Sequence, residues 1–509
     1  MPPDLDDFPA LQAARALWDQ GATDRALESF DAAVRARPGN VKALLEAARA
    51  FGGRFEIARA EALLDQAVRL AGDDPAIAPQ IAASYGRIFR EQRAIGRLEA
   101  IAQRSPQARA ELAALYERAH RLDAALTEID ACIAAAPGAA EPRLARARLL
   151  RRRGEDDEAM AALEGLTRPD LPAALRAEAW TERCYLHDRA GEAAEAAAAI
   201  DQAHAILRAL PQTAALLDRA RANNRAIAAM ARDFIAQTLT DWRRREGDPA
   251  SVAHLTGFPR SGTTLLEQCL DAHPGLVSSP ERVVFTRDIL PRLCQAGGGP
   301  LTVATLDRVS RTALRRERRR YQSFMEAALG EPLAGRLHLD KNPNHTGLLP
   351  GLLRLHPSAR IVFALRDPRD VVTSCVLRTF RLTEFSAMLL DWGTAAELYA
   401  AEMGAWLRYR AALPAETWVE TRYEDMVADP MAETRRVLGH LGLPWDDGVA
   451  RYRDRLASKI VNSPTQTEVR QPIYGHAVGR WRAYRHHLEP HLPVLAPFVE
   501  AFGYPADEG

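Results

Sequence analysis

The stretch of this sequence most clearly suited to binding or catalysis is a glycine-bounded loop between a strand-like and a helix-like segment. Residues 251–256 favour a strand, residues 257–262 begin and end with glycine, and residues 265–272 favour a helix that Thr264 opens. The first backbone N–H groups of a helix have no partner inside it, and the helix dipole adds partial positive charge there. The stretch therefore predicts an anion site of the phosphate-binding kind.

The loop departs from the phosphate-loop pattern G-x-x-x-x-G-K-[ST] at one position. Gly257 and Gly262 keep the glycine spacing and Thr264 keeps the hydroxyl, but Thr263 stands where the pattern has lysine. Because that lysine reaches the outer phosphates of a triphosphate, its loss argues against ATP or GTP and leaves a cradle for a shorter phosphate. Arg260 supplies cationic donors from inside the loop.

Two strings in this region resemble a known family. They are Pro259-Arg260-Ser261-Gly262-Thr263-Thr264-Leu265 and Leu270-Asp271-Ala272-His273-Pro274. The first is similar to the 5′-phosphosulfate loop of sulfotransferases that use 3′-phosphoadenosine 5′-phosphosulfate (PAPS). The chain looks most like tyrosylprotein sulfotransferases and bacterial proteins that fuse such a domain to tetratricopeptide repeats. The resemblance covers roughly residues 250–506, and it implies that Arg260, Ser261, Gly262, Thr263 and Thr264 hold the 5′-phosphosulfate.

The resemblance implies a general base at Glu281. In the family, a glutamate roughly twenty residues beyond the loop arginine takes the proton of the acceptor hydroxyl, which a carboxylate within hydrogen-bond distance can do. The family also has an arginine two positions after the base, where this chain has Val283, and Arg282 stands one position earlier. Without the motif, Glu281 reads equally well as a surface carboxylate in a loop.

A second catalytic position follows from residues 337–343, which predict a strand that ends in a lysine. The segment resembles the family's K-x-P segment, whose lysine stabilises the leaving group, and Lys341 is the matching residue. Sulfuryl transfer, like phosphoryl transfer, places negative charge on the leaving oxygen, so a fixed cation there is effective. Lys341 is one of three lysines in the chain, the others being Lys42 and Lys459.

Residues 359–365 form the clearest strand, an apolar and β-branched run of the buried parallel type that leads into a helix. In sulfotransferases an arginine at this strand end and a serine eight residues later hold the 3′-phosphate. Arg366 and Ser374 have that spacing. A 3′,5′-bisphosphate nucleotide requires such a second site, whereas a nucleoside triphosphate kinase does not.

Three further residues are implied in nucleotide binding. Residues 418–426 predict a strand, and their R-Y-E-D string matches the family's, in which the tyrosine lies near the adenine. Tyr423 is the matching residue, although a core tyrosine at a strand end is the alternative. Thr465 and Arg480 stand where the closing segment of the family has a serine and a lysine. Beyond them, residues 481–504 predict a terminal helix whose histidines lack a metal-binding arrangement.

The N-terminal half is rich in alanine and repeats with a spacing near the 34 residues of tetratricopeptide repeats. The aligned small residues are Ala26, Ala58 or Ala60, Ala94, Ala125, Ala159 and Ala196. About six helix pairs are predicted, and their stacking makes a curved surface that by default holds a peptide or protein segment. The alternative is a scaffold that only holds the other domain or a dimer partner.

The domain boundaries follow from these segments. Residues 213–246 predict one or two connecting helices, and Gly247-Asp248-Pro249 breaks the helical pattern. We expect a repeat domain over 1–212, a helical linker over 213–249 and a sulfotransferase domain over 250–509. Within the last, the arginine-rich run 315–321 indicates a solvated helix face, or alternatively a lip for an acidic acceptor.

Composition narrows the possible partners and compartment. The formal net charge is zero, which gives no signal for nucleic acid or an anionic membrane. Five scattered cysteines without a C-x-x-C pair suit a reducing compartment. The acidic N-terminus lacks a signal sequence, and no run of about eighteen apolar residues occurs. We therefore expect a cytoplasmic protein without a membrane span.

Together these features predict a P-loop-like α/β sulfotransferase domain with a central parallel sheet, preceded by an all-α solenoid. The resemblance implies metal-free, in-line transfer from PAPS to an acceptor hydroxyl, with a protein or peptide tyrosine favoured and the repeat groove helping to hold it. Three alternatives stay open: a carbohydrate or small-molecule acceptor, a repeat scaffold with an inactive nucleotide-binding domain, and a kinase with an altered loop. The kinase would leave Arg366 and Ser374 unexplained.

Overall fold

The computed structural model describes residues 4–246, 251–453 and 477–506. The chain divides into two compact units. Unit 1 comprises Met1–Leu149 and Arg320–Pro332, and unit 2 comprises Leu150–Arg319 and Leu333–Gly509. The first division falls inside the repeat segment, so the last repeat helices belong to the same unit as the central sheet.

Consecutive helices form six pairs within residues 9–208. In every pair the second helix begins three or four residues after the first ends. The pairs are α1 (Pro9–Asp19) with α2 (Thr23–Ala36), α3 (Val41–Gly53) with α4 (Ile57–Ala71), α5 (Ala78–Arg87) with α6 (Glu91–Glu99), α7 (Pro106–Arg118) with α8 (Leu122–Ala135), α9 (Ala140–Arg153) with α10 (Asp156–Ala162), and α11 (Ala173–Arg189) with α12 (Ala193–Arg208).

Small residues lie where the two helices of a pair approach each other. Ala60 is fully buried and Ala58 is exposed, so Ala60 is the repeat position in the second pair. A methyl side chain at such a position allows close packing of neighbouring helices. The positions with no exposed area are Ala26, Ala60, Ala94, Ala125, Ala159 and Ala196.

The connecting segment consists of two helices, α13 (Thr213–Asp233) and α14 (Ala236–Glu246), as predicted. Phe234 lies between them, and its ring packs edge-on against Trp242 at 5.9 Å and against Tyr409 at 5.7 Å. These buried aromatic contacts fix the turn between the helices within unit 2.

Among the described residues, five parallel strands form one sheet in the order β2-β3-β1-β4-β5. Three strands agree with the predicted segments. The prediction of a strand over 418–426 was too long, because a helix with acidic residues in its first turn begins at Tyr423. The strand β2 was not predicted. The strands are β1 (Val252–Gly257), β2 (Leu276–Pro280), β3 (Leu337–Lys341), β4 (Arg360–Leu365) and β5 (Trp418–Arg422).

Helices cover the sheet, and their apolar faces bury its strands. Leu266 and Leu438, from two of these helices, join Leu255 and Val362 of the sheet in one core cluster. Elsewhere Phe363 stacks on Trp406 with 3.8 Å between ring centres. The helices of this part are α15 (Thr263–Asp271), α16 (Leu290–Gly297), α17 (Val303–Asp307), α18 (Arg311–Leu329), α19 (Leu349–Leu355), α20 (Pro368–Val376), α21 (Glu384–Met388), α22 (Trp392–Ala412), α23 (Tyr423–Ala428) and α24 (Pro430–Leu441).

The prediction of one terminal helix over 481–504 was wrong. Four short helical segments replace it, because Pro490 and Pro493 lack backbone N–H donors and each lies in the first turn of a new segment. The segments are a 3₁₀ turn (Arg480–Tyr484), α25 (Arg485–Leu488), a 3₁₀ turn (Glu489–His491) and α26 (Leu492–Ala501).

Within the described ranges, none of the helices combines the length and the apolar character needed to cross a bilayer.

The close approach of β1 to β4 predicts a steric requirement at Gly257. A Cβ atom there would collide with the backbone carbonyl oxygen of Ala364, which cannot move without breaking the sheet register. Gly257→Ala should therefore lower the free energy of unfolding by about 2 kcal/mol or more. Gly96→Ala, in open space on α6, should be neutral or raise it by up to about 1 kcal/mol. Denaturant unfolding followed by circular dichroism compares the two, and equal stabilities would contradict this packing.

Candidate active site

The carboxyl ends of the parallel strands meet at one edge of the sheet and carry the predicted site residues. The loop 257–262 follows β1, Glu281 follows β2, Lys341 ends β3, Arg366 follows β4 and Tyr423 follows β5. Since β1 lies between β3 and β4, the loop is at the point where the strand order changes direction. Such a point is the usual position of a ligand site in an open α/β sheet.

The loop after β1 has the backbone conformation of an anion cradle. Arg260 and Gly262 both have positive φ, 75° and 85°, and α15 begins immediately afterwards at Thr263. A Cβ atom on Gly262 would lie 2.6 Å from Cδ2 of Tyr423, so glycine is required by both conformation and space. The side chains of Ser261, Thr263 and Thr264 are buried. The N-terminus of α15 thus offers backbone N–H groups of the kind that bind anions.

Arg260 connects this loop to the residues predicted for the 3′-phosphate. The Nε atom of Arg260 donates to Oγ of Ser374 at 3.0 Å. Nη1 of Arg366 donates to the backbone carbonyl oxygen of Arg260 at 3.2 Å. Arg366 and Ser374 are both buried, and the Arg366 guanidinium lies 5.0 Å from the ring centre of Tyr423. The structure therefore brings the two predicted phosphate sites into direct contact.

Lys341 is fully buried and holds together residues from three elements. Its Nζ atom lies 2.7 Å from Oε1 of Glu281, 3.3 Å from Oε2 of Glu267 and 3.3 Å from Oγ1 of Thr264. Burial alone lowers the pKa of this ammonium, but the two carboxylates outweigh burial and raise the pKa above its ordinary value. Lys341 is therefore charged at neutral pH.

Glu267 is a site residue that sequence reasoning missed. Its carboxylate is completely buried beside Lys341 and also accepts a hydrogen bond from Ser278 at 2.9 Å. It follows Thr264 by three residues on α15, a spacing that places both on one helix face. That spacing, with a carboxylate in the first turns after a phosphate loop, was the available signal.

Glu281 is held by the register of the two strands. Pro280 pairs with Lys341 in the sheet, and the Glu281 N–H donates to the Lys341 carbonyl oxygen at 2.7 Å. This contact accompanies a φ of 49°, which is unusual for a residue other than glycine. The Glu281 side chain remains 29% exposed while Lys341 is closed off from solvent. One carboxylate thus lies between a buried cation and the surface.

Asp370, a second residue that the sequence analysis missed, anchors the segment that follows residue 476. Its buried carboxylate accepts the N–H of Gly479 at 2.7 Å and the N–H of Trp481 at 2.8 Å, and Arg366 donates to the carbonyl oxygen of Ala477. Burial raises the pKa of Asp370, and Arg366 and the two N–H donors oppose that shift. We call residues 477–481 the closing segment.

Arg480 and Thr465 are the two remaining predicted residues. Arg480, in the closing segment, pairs with Asp188 of α11. Thr465 lies outside the described residues.

The charged run 315–321 lies on α18. Arg315, Arg316 and Arg319 are exposed, whereas Tyr321 is buried. This pattern is that of a helix with one solvated face.

The described part of the chain has no group of three or more His, Cys, Asp or Glu side chains arranged to hold a metal ion. In the C-terminal histidine cluster, the His487 ring stacks on Trp392 with 5.6 Å between ring centres.

A family model described as "Sulfotransferase family" matches residues 253–447, which contain the loop, four complete strands and all of β1 except Val252. This part of the chain belongs to the sulfotransferase family. Protein-tyrosine sulfotransferase 1 of Danio rerio is 26% identical over 270 residues, which cover 49% of this chain and 70% of that protein. Protein-tyrosine sulfotransferase A of Caenorhabditis elegans is 25% identical over 257 residues, which cover 49% and 66%.

Among solved structures, the sulfotransferase domain of the Synechococcus PCC 7002 olefin synthase is similar to this chain, with 20% sequence identity and a TM-score of 0.36. The matched region covers 50% of this chain and 95% of the solved domain. By the family match, residues 253–447 form a sulfotransferase domain, and it follows tetratricopeptide-type helix pairs. The candidate site of this domain brings together the loop, Lys341 with its two carboxylates, and Arg366 with Ser374.

The ion cluster of the sulfotransferase domain predicts unequal effects of two charge-removing changes. Lys341→Met removes the cation that lies beside the fully buried carboxylate of Glu267, and the free energy of unfolding should fall by about 3 kcal/mol. Glu281→Gln changes a partly exposed group, so the loss should stay below about 1 kcal/mol. Denaturant unfolding of the ligand-free proteins measures both, and a Lys341→Met protein as stable as the wild type would contradict the buried cluster.

Proposed function

We propose that this sulfotransferase transfers the sulfuryl group of PAPS to the hydroxyl of a tyrosine in a protein or peptide. The observation that carries the proposal is the contact between the two anion sites through Arg260, whose Nε reaches Ser374 at 3.0 Å. A nucleotide with phosphate groups on both its 3′ and 5′ positions needs two such sites a short distance apart. A nucleoside triphosphate needs only one.

The residues present fit this nucleotide. Nε of Arg366 is buried and has no hydrogen-bond partner among the described residues, so it has donor capacity to spare for an anion. Gly262 allows the loop to approach the ring of Tyr423, which a Cβ atom at this position would prevent. The first turn of α15 offers N–H groups to the 5′ side, and Arg366 with Ser374 offers donors to the 3′ side.

Glu281 and Lys341 supply the chemistry of transfer. As the acceptor oxygen bonds to sulfur, Glu281 accepts the hydroxyl proton, which its partly exposed carboxylate can reach. As the bond between sulfur and the bridging phosphate oxygen breaks, Lys341 stabilises the charge that this oxygen gains. The two groups are adjacent in the ligand-free protein, 2.7 Å apart, which supports their action on one reacting group.

A tyrosine acceptor is supported by the relatives, which are named as protein-tyrosine sulfotransferases, and by the helix pairs, a common means of holding extended peptides. Val283, two residues after the proposed base, is 42% exposed. It offers an apolar contact to an aromatic ring in place of the family's arginine. We therefore propose a tyrosine acceptor that needs no acidic neighbour at this point of the site.

Isothermal titration calorimetry tests which nucleotide the protein binds. 3′-Phosphoadenosine 5′-phosphate should bind at least about tenfold more tightly than ADP, because only the former can use Arg366 and Ser374. Arg366→Ala should weaken its binding by about tenfold or more. Arg408→Ala, an exposed arginine on α22, is the matched control and should leave the affinity unchanged. Preference for ADP or ATP, or no nucleotide binding, would overturn the proposal.

A transfer assay with ³⁵S-labelled PAPS and tyrosine-containing peptides tests the base. Glu281→Ala should reduce transfer by about 100-fold or more while the affinity for 3′-phosphoadenosine 5′-phosphate changes less than about twofold. Glu416→Ala, whose side chain is 75% exposed, should retain full activity. An active Glu281→Ala enzyme would remove the assignment of the base. Transfer to carbohydrate or small-molecule hydroxyls and not to tyrosine would overturn the acceptor class.

A further inference from the structure

Asp188, on the first helix of the sixth repeat pair, contacts the closing segment of the sulfotransferase domain. Its Oδ1 accepts from Nε of Arg480 at 3.0 Å and from the Tyr484 hydroxyl at 2.6 Å, and its Oδ2 lies 2.7 Å from Nη2 of Arg480. All three residues belong to unit 2. One carboxylate from a repeat helix therefore holds two side chains that lie far from it in sequence.

The contact with Arg480 has a geometry that orients the guanidinium group. Nε and Nη2 both face the carboxylate, which fixes the plane of the group by two parallel contacts. Nη1 has no partner among the described residues. A cation held in this way is pre-oriented and keeps a donor for an anion.

The same repeat helix also contacts the chain just beyond the predicted 3′-phosphate helix. Thr181 lies 3.0 Å from Thr379, hydroxyl oxygen to hydroxyl oxygen, and the buried thiol of Cys184 faces the carbonyl oxygen of Leu377. These positions follow α20, the helix that carries Ser374. Helix α11 thus contacts both the closing segment and the end of α20.

The closing segment is fixed on its other side by the 3′-phosphate residues. Asp370 accepts the N–H groups of Gly479 and Trp481, and Arg366 donates to the carbonyl oxygen of Ala477. Arg366 and Asp370 therefore contact the backbone of the closing segment, and Asp188 contacts its Arg480 side chain. Arg480 thus belongs to a segment whose backbone is held by Arg366 and Asp370, next to the predicted 3′-phosphate site.

We propose that Asp188 is a positioning residue that orients Arg480 for the 3′-phosphate, so that the sixth helix pair is a structural part of the nucleotide site. The inference rests on the proposed function, since it takes a 3′,5′-bisphosphate nucleotide as the ligand. The repeats then have a second role besides holding an acceptor.

The hydroxyl of Tyr484 completes the arrangement. Burial and the hydrogen bond to Asp188 raise its pKa far above the neutral range, so it stays protonated and donates to the carboxylate. Asp188 therefore receives donors from two sides, which restrains its own rotation.

Calorimetric titration with 3′-phosphoadenosine 5′-phosphate tests the proposal. Asp188→Asn should raise the Kd about five- to tenfold, because the amide cannot pair with both guanidinium nitrogens as an anion does. Asp156→Asn is the matched control, since Asp156 pairs with Arg189 of the same helix at 2.7 Å. It should leave the Kd unchanged. Melting temperatures, measured alongside, show whether each variant is folded.

A double-variant cycle separates positioning from a purely structural role. Arg480→Gln should weaken binding by itself, and adding Asp188→Asn should then cause little further loss, because both changes act through the same guanidinium group. Additive losses, or an Asp188→Asn protein with wild-type affinity, would overturn the inference. If Asp188→Asn fails to fold, an Arg480→Gln protein with wild-type affinity would overturn it as well. Failure of the wild-type protein to bind the bisphosphate would instead overturn the proposed function.

Discussion

The active site depends on one buried interaction, the ammonium of Lys341 between the carboxylates of Glu267 and Glu281. A lysine withdrawn from water is stable as a cation only if nearby negative charge compensates the lost hydration. Glu267 supplies that charge from the buried side and Glu281 supplies it from the partly exposed side. Because Pro280 pairs with Lys341 in the parallel register, the proposed base follows directly beside the cation. The sheet therefore sets the distance between the two groups that the chemistry needs.

The residues of the proposed nucleotide site are likewise held in place by contacts with one another. Arg260 reaches Ser374 from the loop, and Arg366 returns a hydrogen bond to Arg260 and another to the closing segment. Asp370 then holds that segment by its N–H groups. Each element of the proposed nucleotide site is thus fixed by a neighbouring element of the same site, an arrangement that reduces the reorganisation needed for binding. Through Asp188, this network extends into the repeat helices.

Much of this fold and site could be predicted from the sequence, and the exceptions have physical causes. The loop, Lys341 and Arg366 lie at the ends of apolar strands, where local pattern and motif spacing coincide. Strand β2 was missed because Leu276–Pro280 is short, contains two serines and ends in proline, which gives little strand signal. Glu267 and Asp370 were missed because a carboxylate on a helix reads as a solvated group until tertiary contacts bury it. The contact of Asp188 with Arg480 spans 292 residues and leaves no local pattern.

The most direct test of the central claim uses the scarcity of lysine in this chain. Only Lys42, Lys341 and Lys459 occur, so ¹⁵N-lysine labelling gives three ammonium signals, and Lys341→Arg assigns one of them. Burial slows proton exchange at Lys341, which keeps its signal visible near neutral pH. If its ammonium lies at the proposed reaction centre, this signal should shift when 3′-phosphoadenosine 5′-phosphate is added to the wild-type protein. The signal should also differ between the ligand-free wild-type and Glu281→Gln proteins. An unchanged Lys341 signal at saturating bisphosphate would contradict the account.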